Sequence, residues 1–344
     1  MKEFQRRDAL QAVAGLASVA AVGTVAGRLR SAPAAGSTTG SLDAVPATAD
    51  ALAYANLDVL RRDEGMRTLT TAALQQRAQY QSGDAAAAGP RDVDALLADV
   101  EANFETDPET VHRATAFGDV GGDSDELFDG YGGVVFRAEL SAEDVTAGIE
   151  NVDDVAFTEL TASGTVVYEP ESDEGPWVGA LGADRVVVGT EAAVYDVVDV
   201  TNGETAGVAQ PLEAAYGDTR EAPVRFASRL PEPSDNAAVP KEIGGGGGQA
   251  VDLTPLDHVT TVTGAVYGDG DARGLETTLE ATDASAARDV ARVVRELRER
   301  VESELRDAAL AAIVGDLGVE RDGATVRTSV ERTVSELESL VDGS

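Results

Sequence analysis

One unit recurs along this chain: an alternating apolar strand, a Ser, Thr or Asp cap, then a helix with apolar residues three and four apart. It occurs at residues 134–152, 185–200 and 275–305. Strand and helix each carry one apolar strip, and both strips must be buried, so the unit demands sheet packed on helix. Hairpin signals lie between the units. Gly182-Ala183-Asp184 separates residues 177–181 from 185–189, and residues 268–271 separate 259–267 from 275–281. Asp322-Gly323 reads as a type I′ turn. Adjacent hairpins favour antiparallel pairing. The expected fold is α+β: two lobes of antiparallel sheet with helices packed on one face, after an N-terminal apolar helix.

Individual elements follow from periodicity. Residues 51–60 alternate as one strand, and 66–80 read as a helix. Val93, Leu96, Leu97, Val100 and Phe104 form a helical stripe beginning at Asp92. Ser141 and Asp144 have capping-box spacing, and Thr190 caps a helix carrying Val194, Val197 and Val198. The strongest helix covers 284–310, with Val290, Val294, Leu297, Val301 and Leu305 on one side. Its charges fall into pairs four apart: Arg292–Glu296, Arg295–Glu299, Arg298–Glu302 and Glu302–Arg306. Three Pro and the run Gly244 to Gly248 fall within residues 230–249 and divide the body into lobes at 43–240 and 250–344.

The chain carries 62 Asp+Glu against 27 Lys+Arg, a net charge of −35. Phosphate-backbone binding needs Lys/Arg to displace counterions, so no nucleic-acid partner is expected. Lys2 and Lys241 are the only lysines, leaving 25 Arg. The carboxylates are spread from Asp43 onward rather than gathered on one patch. They read as adaptation to concentrated salt, where the screening length shrinks to ~3 Å and self-repulsion is muted.

Residues 1–30 break this pattern. Five basic residues (Lys2, Arg6, Arg7, Arg28, Arg30) face Glu3 and Asp8, giving +3 and leaving −38 for the remainder. Residues 9–27 carry no charge. Arg6-Arg7 ahead of this modestly apolar run resembles a twin-arginine export signal, although Ala9 stands where such signals usually have a larger apolar residue. Ala32-Pro33-Ala34 is a small-residue cleavage site, placing processing after Ala34. If uncut, the 19 uncharged residues make ~28 Å of helix, close to a bilayer core. The membrane is then a partner through this segment. Residues 31–42 read as a linker.

The search for chemistry gives little. With no Cys, thiolate metal sites, disulfides and a Cys nucleophile are excluded. There is no G-x-S-x-G and no phosphate-binding G-x-x-x-x-G-K. Gly268-Asp269-Gly270 begins like a dinucleotide loop, but Arg273 replaces the third Gly. No cofactor is expected. His112 and His258 are 146 positions apart, each just before or within a strand start. The acidic segment Asp119, Asp123, Asp125, Glu126, Asp129 offers carboxylate oxygens to a hard cation such as calcium, though Leu127 breaks EF-hand spacing. Asp119, Asp123, Asp125 and Asp129 are therefore the metal candidates. No catalytic residue is assigned.

Arg6-Arg7 with the apolar run, residues 183–194 (ADRVVVGTEAAV), residues 223–228 (PVRFAS) and the strand–cap–helix at 275–297 together resemble uncharacterised haloarchaeal exported proteins of unknown function. The resemblance implies export and no particular activity. The leading expectation is an extracytoplasmic protein, membrane-anchored or secreted, acting as a non-enzymatic binding or envelope module. Its rivals are an exported hydrolase using acidic residues, with or without a metal, and an oligomeric scaffold.

Overall fold

The computed structural model describes residues 42–67, 108–119, 130–150, 156–171, 175–182, 184–230, 241–243, 250–304 and 308–336. The fold is α+β and mostly antiparallel sheet. The first strand, β1 (Ala51–Asn56), runs directly into the short helix α1 (Leu57–Arg62). The expected single strand over 51–60 is thereby corrected. Leu57 and Leu60, three apart, are both buried, which a helix allows and an alternating strand does not.

The next elements are β2 (Val111–Gly118), β3 (Gly132–Ala138) and α2 (Ala142–Glu150). The capping box forms as expected: the Ser141 N–H donates to Asp144 Oδ2 at 2.8 Å and the Asp144 N–H to Ser141 Oγ at 3.2 Å. Two hairpins follow, β4 (Phe157–Ala162) with β5 (Thr165–Pro170), and β6 (Trp177–Gly182) with β7 (Arg185–Gly189). Helix α3 (Glu191–Thr201) is capped by Thr190, whose Oγ1 accepts from the Ala193 N–H at 3.4 Å. Helix α4 (Gln210–Gly217) leads to β8 (Val224–Arg229). The second half contains the two-residue strands β9 (Glu242–Ile243) and β10 (Val251–Asp252), then the long hairpin β11 (Val259–Asp269) and β12 (Ala272–Ala281). Helices α5 (Ala284–Glu304) and α6 (Ala308–Gly315) and the hairpin β13 (Gly318–Asp322) with β14 (Thr325–Thr333) complete it. In that last turn Gly323 has φ 55° and Ala324 is not positive, so it belongs to the II′ class and not the expected I′.

Among the described residues twelve strands form one sheet, in the order β13-β14-β12-β11-β8-β1-β2-β3-β7-β6-β5-β4. Strands from both sides of the glycine run share it. β8 is paired antiparallel to β1 on one side and to β11 on the other. The ion pair of Asp63 with Arg273, at 2.8 Å, ties the two halves together again.

Helices cover both faces, which corrects the expectation of one. On one face α3 and α4 bury Val194, Val197, Leu212 and Tyr216 against Leu52, Phe117, Val187 and Ala227. On the other, α2 packs Val145 on Tyr168, Val178 and Val188. That same face carries α5, whose Ala287, Val290, Ala291 and Val294 meet Phe226, Val262, Leu279 and Val326. Each fully buried Val or Leu stabilises by about 1.5–3 kcal/mol relative to exposure, so these four-residue stripes anchor their helices. The Arg292–Glu296 pair of α5 forms at 3.0 Å. Arg295 and Arg298 instead donate to the carbonyls of Val319 and Leu317, at 3.3 and 3.0 Å. Among the described residues no helix is long and apolar enough to cross a membrane.

Candidate functional site

The proposed export signal Arg6, Arg7, the processing point Ala34 and the acidic residues Asp123, Asp125 and Asp129 lie outside the described residues. Asp119 is described, at the end of β2. Its N–H donates to the Tyr131 carbonyl at 3.0 Å, joining the two roots of the acidic segment. Loss of solvent, and second the nearby Asp50, push its carboxyl above the ordinary carboxylate value. Among the described residues no three His, Asp or Glu are placed to hold a metal ion.

Beside Asp119 a three-member polar clasp closes the end of the sheet. The Tyr131 hydroxyl donates to Asp196 Oδ2 at 2.8 Å, and Thr48 Oγ1 lies 2.5 Å from the tyrosine oxygen and 3.0 Å from Asp196 Oδ2. Burial first, and the Asp196 carboxylate after it, hold the phenol protonated far above its ordinary range. The clasp joins the segment before β1, the start of β3 and helix α3.

His112 meets two acids, neither of them from the acidic segment. Its Nδ1 lies 3.2 Å from Asp58 Oδ1 and its Nε2 lies 3.3 Å from Glu139 Oε1. Asp58 is shared with Arg61 at 3.4 Å, and Arg61 also donates to the Val111 carbonyl. A neutral imidazole has one N–H and serves one carboxylate, whereas the imidazolium serves both. The arrangement clasps α1, the start of β2 and the end of β3. His258 is exposed at the start of β11.

The deepest polar group was not anticipated from the sequence. Arg225, in the middle of β8, is 1% exposed and is the only charged member of the buried core among the described residues. Strand alternation turns Val224 and Phe226 to the α5 face and Arg225 with Ala227 to the α4 face. Its Cζ lies 4.2 Å from the centre of the Tyr216 ring. Its Nη2 donates to the carbonyl of Tyr216 and, at 3.1 Å, to that of Thr219. The cation thus sits at the negative end of α4, where the helix exposes unsatisfied carbonyls.

The rest of the guanidinium is unused. Nε and Nη1 have no hydrogen-bond partner. The register partner of Arg225 on β1 is Tyr54, whose hydroxyl is also without a partner, as is Oδ1 of Asn56 two residues on. Burial raises the Tyr54 phenol above its ordinary value of 10.0, against the opposing pull of Arg113 and Arg225, so it is neutral at neutral pH. The cluster combines a positive charge and unbonded donors with one unpaired acceptor, Asn56 Oδ1, and holds no negative charge. It contains no nucleophile. The signal in the sequence was a lone Arg inside the apolar run of residues 223–228.

No family model matches this chain, and no curated protein does. Among solved structures, crystal form I of TP0453 is similar at a TM-score of 0.42 and 9% identity, covering 88% of this chain and 96% of that one. Crystal form III of TP0453 gives 0.43 and 10%, covering 88% and 98%.

Proposed function

We propose that this is an exported protein of the cell envelope or its surroundings, held in the membrane by residues 9–27 or released after Ala34, and serving as a non-enzymatic binding module. One observation carries the reading: Arg6-Arg7 and 19 uncharged residues precede a body of net charge −38, taken as −35 minus +3. A twin-arginine pathway reads such a charged front followed by a modest apolar run. The acidity suits a body working in concentrated salt outside the cell. The polar clusters at Tyr131 and His112 each join one structural element to another.

Replacing Arg6 and Arg7 together by Lys, with the native amino terminus read by mass spectrometry in membrane and secreted fractions, tests it. The wild-type chain should appear outside the cytoplasm, intact in the membrane fraction or starting after Ala34. The double variant should remain cytoplasmic. Export that is undiminished in the double variant refutes the twin-arginine reading.

A further inference from the structure

We propose that Arg225, with Tyr54, forms an internal binding site for a small monovalent anion of the halide class. The inference is independent of export and rests on the interior of the sheet alone.

A guanidinium stays charged at any pH a folded protein meets, so Arg225 cannot escape burial by losing its proton. Taking such a charge out of water costs several kcal/mol unless it is compensated. The structure shows partial compensation only. Nη2 reaches the carbonyl of Tyr216 in the last turn of α4 and that of Thr219 just beyond it, and a helix terminus contributes roughly half an elementary charge. Among the described residues no carboxylate pairs with the guanidinium, and its Nε and Nη1 are buried and unbonded. Tyr54 stands opposite on the adjacent strand, its neutral hydroxyl free to donate. An anion between them would accept hydrogen bonds from both and supply the missing negative charge.

Size and polarity narrow the class. The unbonded atoms are sealed from solvent, and the surroundings include the Tyr216 ring and the fully buried Ala265, the register partner of Arg225 on β11. A phosphate brings four oxygens and an organic carboxylate a carbon body, and in a site sealed from solvent each polar atom left unmatched would lose its water without replacement. A monatomic anion needs only the two or three N–H and O–H groups present. A trapped water would occupy the donors but leave the charge uncompensated.

The direct test is diffraction from crystals of the full chain grown in sodium bromide, measured at the bromine edge. A bromine signal within hydrogen-bond distance of Arg225 Nε or Nη1 is expected. Ordered water there, or no density there, would overturn the proposal. The solution test holds sodium and ionic strength constant while methanesulfonate is replaced by chloride. Above saturation, each tenfold rise in chloride should raise the folded-to-unfolded ratio about tenfold. Tyr54→Phe retains the cation and removes one donor, so chloride should bind more weakly to it. Arg225→Gln should abolish the chloride response. If Arg225→Gln does not fold, the bromide map and Tyr54→Phe decide between the outcomes. A chloride response in Tyr54→Phe equal to the wild type would overturn the shared site.

Discussion

Gly264 offers a sharp test of how the sheet is packed. It lies on β11 opposite Phe226 of β8, and a Cβ built on it would sit 2.2 Å from Phe226 Cζ, 2.5 Å from Cε1 and 2.8 Å from the backbone oxygen of Glu276. Two terms oppose each other in Gly264→Ala. Reduced freedom of the unfolded chain favours Ala by about 0.4–1 kcal/mol where the backbone conformation is compatible. Forcing a methyl into a filled site costs about 1–3 kcal/mol. The second term wins here, because Phe226 is 2% exposed and held by the α5 cluster, while the Glu276 oxygen belongs to a fixed ladder. The net expectation is a loss of about 1–2 kcal/mol. Equilibrium unfolding in molar KCl, followed by Trp177 fluorescence and far-ultraviolet dichroism, measures it.

The cycle with Phe226→Ala separates ring from backbone. Phe226→Ala alone should cost about 3–5 kcal/mol through the cavity it leaves. In the double variant the new methyl faces that cavity, so the combined loss should fall short of the sum by about 1 kcal/mol or more. Strict additivity would mean that the Glu276 oxygen, not the ring, is the obstacle. A neutral or stabilising Gly264→Ala would refute the close-approach argument altogether. The same pairing of an aromatic ring over a cross-strand glycine recurs at Phe117 with Gly133 and Tyr267 with Gly274.

Three further outcomes are expected. Asp63→Asn should destabilise by about 2–4 kcal/mol in chemical unfolding, because Asp63 Oδ1 accepts from both Nε and Nη2 of Arg273 at 2.9 and 2.8 Å in a site only 11% and 18% exposed. Asp283 accepts from the N–H groups of Ala286 and Ser285 at the start of α5, and these bonds hold its pKa below the ordinary value of 3.8. Its contribution is therefore fully present above that value and is lost as pH falls through the lower folded pKa; an acid titration of stability should show a shallower fall for Asp283→Asn than for the wild type. Thermal stability should rise from low to molar KCl, since the part of the chain after residue 30 carries −38, and a salt-insensitive melting temperature would contradict the halophilic reading.

Local chemistry made much of the fold legible. Gly182 and Asp184 both take positive φ in the turn between β6 and β7, as their residue types suggest. Thr190 and Ser141 cap the helices that follow them. The α5 stripe was clear because Val290, Val294 and Leu297 recur at helical spacing and are all buried. Strand β4 was not foreseen, because as a sheet edge it is half exposed with no fully buried residue and mixes Thr and Glu with Phe157 and Leu160. Its signal was the Ser163-Gly164 turn, with φ of 47° and 82°. The two-faced packing was written in Val186-Val187-Val188, where neighbouring valines are all buried and must therefore face opposite layers. The joining of both halves through β8 was not legible, because pairing between distant strands leaves no local pattern.

Arg225 belongs to a wider use of arginine in a chain of 62 acids, 25 Arg and only two Lys. Several of its guanidiniums bond neutral backbone carbonyls, and Arg61, Arg273, Arg298 and Arg332 pair with carboxylates as well. Arg61 reaches Val111, Arg225 reaches Tyr216 and Thr219, and Arg273 reaches Gly270 and Ala272. Arg295, Arg298 and Arg332 reach Val319, Leu317 and Ala312. Concentrated salt screens an exposed ion pair strongly, because the screening length falls to the size of the pair itself, about 3 Å at 1 M. A short, directional bond to a carbonyl is much less exposed to that loss, and the flat five-donor guanidinium can make several at once where an ammonium cannot. These arginines hold helix ends and strand ends, at the surface for Arg295 and in the interior for Arg225. Carried to the interior of the sheet, the same habit leaves Arg225 bonded through Nη2 to the end of α4, with Nε and Nη1 unbonded.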